Sequence, residues 1–266
     1  MYEFQYHRAT SLADAEGKIA GTEDGKLLAG GQTLIAAMKL RLAAPSDLVD
    51  LGAVAELKGV CLDGSNVVIG AMTTHAEVAA SADVQAKIPA LALLAGGIGD
   101  PMVRNQGTMG GSVANNDPAA DYPAAVLGLG ATVLTNRRTI AAEAFFTAMY
   151  ETALEPGEII KAISFPVPGK AGYAKFPNPA SRYALVGVFV SQSASGVRVA
   201  VTGAAPSVFR SKELEAALSA SFKPEAAAAV KIPATDLNTD MHAGAEYRAH
   251  LISVMAKRAV AQALGG

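Results

Sequence analysis

The chain has 266 residues, 51% of them apolar and 17% charged, with a formal net charge of −2. That balance describes a globule with room for a substantial core. It excludes a disordered chain and gives no electrostatic reason to expect nucleic acid or an anionic membrane as partner. No apolar run reaches the roughly 18–20 residues that span a bilayer, so no transmembrane segment is expected. The N-terminus lacks a basic stretch followed by an apolar one, so no leader peptide is expected and the expected location is cytoplasmic. Cys61 is the single cysteine, which rules out an intrachain disulfide and a cluster held by this chain's own thiolates. It reads as a small hydrophobe, buried or half-buried.

In chain order, residues 4–6 alternate as a short strand, and Thr10 or Ser11 can cap a helix over residues 12–20. Residues 26–29 read as a buried strand that runs straight into Gly30 and Gly31. Leu34, Ile35, Met38 and Leu42 then recur at helical spacing until Pro45, and residues 47–51 return as a strand. Gly30, Gly31 and Thr33 thus open a helix at the end of a strand. Unpaired N–H groups and a partial positive charge there suit an anion such as a pyrophosphate. Neither Gly30-Gly31-Gln32 nor Gly128-Leu129-Gly130 completes the G-x-G-x-x-G fingerprint of classical dinucleotide folds.

A hairpin is expected over residues 57–62 and 67–70. Thr73 or Thr74 then caps a short helix, which gives His75 a capping or solvated role, with a ligand-facing one as the alternative. Residues 89–97 read as a small-residue helix. Residues 104–118 follow, crowding Gly107, Gly110, Gly111, Thr108, Ser112, Asn105, Asn115 and Asn116 into one segment. That composition predicts a loop that adds little to the core and lets backbone amides approach a ligand closely. Asp121, Tyr122 and Pro123 lead into a helix over 119–129. Strands over 131–134 and 139–141, a helix over 144–150 and a strand over 158–165 complete this part.

Pro166-Val167-Pro168-Gly169 marks the domain boundary. It separates 1–169, with subdomains of about 1–55 and 56–169, from 170–266. Beyond it lie strands over 171–176, 184–191 and 196–201, then helices over 212–218, 224–230 and 245–264. In the last helix Tyr247, Leu251, Val254 and Met255 make the apolar stripe, with Arg248 and Lys257 opposite.

Three stretches taken together are specific. The first is Ala29-Gly30-Gly31-Gln32-Thr33-Leu34 with Met38-Lys39-Leu40-Arg41. The second is Val103-Arg104-Asn105-Gln106-Gly107-Thr108-Met109-Gly110-Gly111-Ser112 with Asp117-Pro118 and Asp121. The third is Tyr173-Ala174-Lys175-Phe176-Pro177-Asn178-Pro179-Ala180-Ser181-Arg182-Tyr183-Ala184. They resemble the FAD-binding subunit of molybdenum hydroxylases, in the xanthine dehydrogenase superfamily and nearest the medium chains of aerobic carbon monoxide dehydrogenases. The resemblance runs over essentially the full chain.

That resemblance implies an α+β fold: a two-part FAD-binding domain of the vanillyl-alcohol-oxidase (PCMH) type, then a small three-stranded antiparallel sheet with a helical C-terminal part. It implies FAD as cofactor. Ala29, Gly30, Gly31, Gln32, Thr33 and Leu34 would wrap the pyrophosphate, and Thr108, Gly110, Gly111, Ser112 and Asn115 would form a second wall. Asp121 would hold a polar part of the cofactor, Lys175 would sit near the flavin ring and Tyr183 beside its edge. Where the family carries an acidic residue before that tyrosine, this chain has Arg182. Leu34, Ile35 and Ile98 are candidates for the apolar slot the ring needs.

The implied partners are a small subunit with two [2Fe–2S] clusters and a large molybdopterin subunit, in a dimer of heterotrimers. Electrons would run from these partners through the flavin to an external acceptor. The alternatives are a self-sufficient FAD-dependent oxidoreductase of the same fold and a flavin-free binding protein. The four histidines lack ligand spacing, and no Ser-His-Asp set or carboxylate pair stands out. The flavin, rather than an acid–base side chain, is therefore expected to carry the chemistry.

Overall fold

The structure, a computed structural model, describes residues 1–265. Its first unit is a parallel sheet of β1 (Gln5–Arg8), β2 (Gly25–Leu28) and β3 (Asp47–Asp50), in the order β1-β3-β2. The crossovers are α1 (Leu12–Ala20) and α2 (Leu34–Lys39). Ser11 caps α1, its hydroxyl accepting from the Asp14 amide at 3.1 Å. Helix α2 is shorter than its apolar spacing predicts. Arg41 takes the left-handed conformation (φ 61°), and the amides of Arg41 and Leu42 return to the carbonyls of Met38 and Ala37. That is a Schellman closure with arginine where glycine is usual, and it leaves Leu40 and Leu42 exposed. Ala15, Ile19, Val49, Leu51, Val54 and Leu57 share a small core with Met72 and Ile159 of the next part of the chain.

A 3₁₀ turn (Ala55–Leu57), which takes up Leu57, leads to the hairpin of β4 (Val60–Asp63) and β5 (Asn66–Gly70). Cys61 lies on the open face of edge strand β4 and is exposed rather than buried. Helices α3 (His75–Ala80), α4 (Ala82–Lys87), α5 (Pro89–Gly96), α6 (Pro101–Gln106), α7 (Met109–Asn115) and α8 (Tyr122–Leu129) follow. Next come β6 (Thr132–Thr135), β7 (Thr139–Ala141), the single turn α9 (Ala142–Phe145), the hairpin β8 (Phe146–Ala148) and β9 (Glu151–Thr152), and β10 (Ile160–Pro166). The last strand enters between β5 and β6, completing an antiparallel sheet ordered β4-β5-β10-β6-β7.

Two expectations fail here. Residues 104–118 are mostly helical, and Met109 and Val113 of α7 are buried in the main core. Of residues 144–150 only Ala144 and Phe145 are helical, followed by the short strand β8 and a turn. Asn116, itself left-handed at φ 43°, donates from Nδ2 to the carbonyls of Ala148 (2.7 Å) and Glu151 (2.8 Å), fastening the β8–β9 turn beneath α7.

The C-terminal part is an antiparallel sheet of β11 (Lys170–Pro177), β12 (Ala184–Ser193), β13 (Gly196–Thr202) and β14 (Phe209–Arg210). It has four strands, not three, because a two-residue strand lies below the reach of an alternation pattern. Helices α10 (Lys212–Ala220), α11 (Pro224–Ala228) and α12 (Ala245–Ala263) share a core with it. Helix α12 buries Leu251 and Met255 of the expected stripe, with Val254 packed beside them, but departs from it at two positions. Tyr247 is exposed and Arg248 is buried, because the guanidinium donates to the carbonyls of Leu185 (2.7 Å) and Gly203 (2.8 Å) and to Asp240 (2.7 Å).

Helix α8 joins the two large cores. All eight of its residues are buried. Gly128 lies so close to Phe189 of β12 that a Cβ there would sit 2.9 Å from the ring. Ser191 donates to the Gly128 carbonyl (2.7 Å), Arg198 to Leu127 (3.2 Å) and Thr202 to Ala120 (2.7 Å).

Candidate functional site

A cleft of about 780 Å³ opens between the turn after β2, the helices α6 to α8 and the loop between β11 and β12. It is lined by Ala29, Gly30, Gly31, Gln32, Thr33 and Leu34 on one side and by Thr108, Gly110, Gly111, Ser112, Asn115 and Asp121 on the other, with Tyr183 and Arg182 also in its wall. Of the residues expected at the site, Lys175 is not in the lining. Of the three slot candidates, Leu34 and Ile98 are in the lining and Ile35 is not. Ile35 instead packs under Gly31, where a Cβ would meet its Cγ1 at 2.9 Å.

The two glycine walls touch each other. A Cβ on Gly30 would lie 2.0 Å from the Gln106 carbonyl oxygen, so only glycine permits the contact. Gly31 adds a left-handed φ of 70°. The chemistry of the walls differs. At the start of α7 every amide is already used. Met109 donates to Thr73 (3.0 Å), Gly110 to Ala71 (2.8 Å), and Gly111 and Ser112 to the hydroxyl and carbonyl of Thr108. Among the described residues, the amides of Gly30, Gly31, Gln32, Thr33 and Leu34 donate to no group of the chain. The first wall therefore offers N–H donors, while the second offers shape and the short side chains of Ser112 and Asn115.

The opposite part of the cleft is built on Asp121. This carboxylate is buried and accepts from the Tyr173 hydroxyl and from Lys175 Nζ at 2.9 Å; Lys175 also donates to the Gly97 carbonyl (2.9 Å). Burial pushes the Asp121 carboxyl upward, opposed by the Lys175 charge and the Tyr173 hydrogen bond. β11 thus supports the cleft from behind, which explains why Lys175 stands one layer back. Tyr183 is 45% exposed and its hydroxyl is held up by partial burial and then by Asp117 and Asp121. Glu158 also lines the cleft, its carboxyl held down to about 2 by the Arg138 guanidinium, the Glu155 amide and the Thr135 hydroxyl.

His75 was expected to cap or face solvent, with a flavin-facing role as the alternative. Thr74 does the capping, in a reciprocal box with Glu77, and the His75 ring turns inward, 4% exposed and in the cleft wall. Its Nδ1 is buried with no hydrogen-bond partner. Burial and then Arg104 bring its pKa down to about 4, so the imidazole is neutral near pH 7. The Thr74–Glu77 spacing was legible, but which way the first helical side chain points depends on where α6 packs.

These residues fit a flavin dinucleotide. Five free amides suit a pyrophosphate, and Leu28, Leu51, Met72, Leu154 and Ile159 give apolar wall. Among the described residues there is no cluster of three or more His, Cys, Asp or Glu placed to hold a metal ion. A βαβ glycine turn facing a second glycine helix across one cleft suits a dinucleotide cofactor.

Residues 2–168 match the family described as the FAD binding domain in molybdopterin dehydrogenase, and residues 171–263 the CO dehydrogenase flavoprotein C-terminal domain. The chain belongs to this family of FAD-binding subunits. It is 38% identical to the carbon monoxide dehydrogenase medium chain of Afipia carboxidovorans, over 98% of this chain and 96% of that one. It is 36% identical to the nicotine 6-hydroxylase medium subunit of Paenarthrobacter nicotinovorans, over 97% and 96%. Reconstituted CO dehydrogenase from Oligotropha carboxidovorans superposes with a TM-score of 0.91 at 35% identity, covering 99% and 98% of the two chains. FAD is accordingly the cofactor, and the chain is an FAD-dependent oxidoreductase subunit. No helix among the described residues is long and apolar enough to cross a membrane.

Proposed function

We propose that this chain is the electron-transfer subunit of a heteromeric molybdenum hydroxylase. It would accept electrons from [2Fe–2S] clusters on a small partner, fed by a molybdopterin-bearing large partner, and pass them to an external acceptor, in a dimer of heterotrimers. The two-part N-terminal domain is read as the vanillyl-alcohol-oxidase type. Bound FAD supplies the redox chemistry, exchanging electrons one or two at a time.

The residues of the chain bind and orient. The free amides of residues 30–34 would neutralise the pyrophosphate, each charge-assisted hydrogen bond contributing about 1.5–3 kcal/mol. Gly111 and Ser112 would shape the second wall, Asp121 with Lys175 and Tyr173 would hold a polar region of fixed geometry, and Tyr183 would cover the ring edge. The observation that carries this reading is the five-amide turn facing a glycine helix across one cleft. The medium chains similar to it are named for different oxidations, so the substrate is assigned to the large partner.

Substitution of Gly111 by Asp tests the site. A Cβ there already meets the Thr108 hydroxyl at 2.8 Å and Ala29 at 3.3 Å, and the added carboxylate would intrude between the walls. The variant should purify without the flavin's visible absorbance; undiminished absorbance would refute the assignment. Native purification should bring down iron–sulfur and molybdopterin polypeptides. Their consistent absence would favour a self-sufficient flavoenzyme.

A further inference from the structure

We infer that Arg104 is a positioning residue for the cofactor cleft, fixing the wall segment between α5 and α6 by its backbone carbonyls; this rests on the reading that the cleft holds FAD. The segment leaves α5 at its C-cap, Gly97, and enters α6 through the N-cap, Asp100. Ile98, Gly99 and Asp100 line the cleft, whereas Arg104 and Lys175 do not. Three successive carbonyls are nevertheless held by these two cations. Lys175 Nζ donates to Gly97 (2.9 Å), and Arg104 Nη1 donates to Ile98 (3.1 Å) and Gly99 (3.2 Å).

A cation at the C-terminal end of a helix meets the negative end of its dipole, and α5 has no basic residue in its own last turn. Lys175, from β11, fills that role at the cap. Arg104 does something further, because both of its acceptors lie past the helix, in the segment that forms the wall. Among the described residues its side chain makes no other hydrogen bond and no ion pair. Gly99 is left-handed (φ 50°), and a Cβ on it would meet the Cβ of Val103 at 3.0 Å, so the turn is pressed against α6. No peptide bond among the described residues is cis, and a trans peptide sets its N–H opposite its C=O. With the oxygens drawn to Arg104, the amides of Gly99 and Asp100 turn away from it, and they donate to no group of the chain. The arginine thus sets how this part of the wall presents Ile98 and its backbone.

The test compares wild type, Arg104→Met and Arg104→Lys in the full chain. It reads FAD affinity by fluorescence titration, apoprotein melting temperature, and the visible circular dichroism of the bound flavin. Arg104→Met keeps the apolar stem and removes the donors. It should weaken FAD binding about tenfold and change the dichroism of the flavin that still binds. Arg104→Lys keeps the charge and a donor and should recover most of both. An Arg104→Met variant within twofold of wild-type affinity and with wild-type dichroism would overturn the inference. So would a fall in melting temperature with the dichroism of the bound flavin unchanged, since Arg104 would then only brace the chain. If wild type itself fails to take up FAD, the parent reading falls and this one with it; uptake by wild type with an indifferent Arg104→Met removes this one alone.

Discussion

At the scale of single residues, the cleft is governed by groups whose partners lie far away in sequence. His75 is neutral because burial, helped by Arg104, brings its pKa to about 4 from an ordinary 6.5. The unfolded chain therefore binds a proton between these values that the folded chain refuses. Stability from this group is complete above about pH 6.5 and falls by about 3 kcal/mol as the pH drops towards 4. Glu158 acts lower, its contribution present above the ordinary glutamate value and lost only as the pH falls towards 2. Urea midpoints of the apoprotein between pH 7 and 4 should fall in wild type and fall less steeply in His75→Leu; parallel curves would mean that His75 does not titrate as described.

Gly30, Gly31 and Gly111 were legible because a glycine that follows a strand or opens a helix has few other uses. The inward turn of His75, the Tyr173–Asp121–Lys175 cluster and the Arg138–Glu158 pair were not. Each joins residues 20 to 54 positions apart whose spacing carries no pattern.

At the scale of elements, α1, β3, β5, β12 and α10 follow from alternation, helical spacing and caps in the sequence itself. Helix α7 does not. Its sequence Met109-Gly110-Gly111-Ser112-Val113-Ala114-Asn115 contains five poor helix formers. It is helical because Met109 and Gly110 donate to the carbonyls of Thr73 and Ala71, Thr108 caps the Gly111 amide at 3.2 Å, and Met109 and Val113 are drawn into the core. Tertiary contacts here overrule propensity.

Thr108→Val keeps the shape and removes the cap, so it should cost about 1 kcal/mol in the urea midpoint, with Thr108→Ser near wild type. Equal midpoints for all three would show that α7 does not depend on its cap. The early end of α2 was hidden for a related reason: the left-handed Arg41 gives no compositional sign of a stop. Arg248 was placed on the wrong face of α12 because its partners are carbonyls of β12 and of the turn after β13, which no helical wheel displays.

At the scale of the whole molecule, the cleft and the C-terminal sheet depend on each other. β11 supplies Tyr173 and Lys175 to the carboxylate in the cleft wall, and the loop after it supplies Arg182 and Tyr183. Helix α8 is apolar all round with no solvated stripe, as expected for a helix packed on both sides. A fragment of residues 1–169 would expose one side of α8 and strip Asp121 of Lys175 and Tyr173. It should aggregate, or bind a hydrophobic dye strongly, under conditions where the full chain is monodisperse. A monodisperse fragment that melts where the full chain does would contradict this.

Helix α8 also limits how such proteins can exchange parts. A graft that replaced residues 170–265 with those of a relative would set a foreign sheet against Gly128, whose missing side chain is matched to Phe189. A recombination point that keeps this fit lies before α8, near Asp117, inside the cofactor wall. Any viable hybrid made there would inherit its second glycine wall from one parent and the Tyr183 side of its cleft from the other.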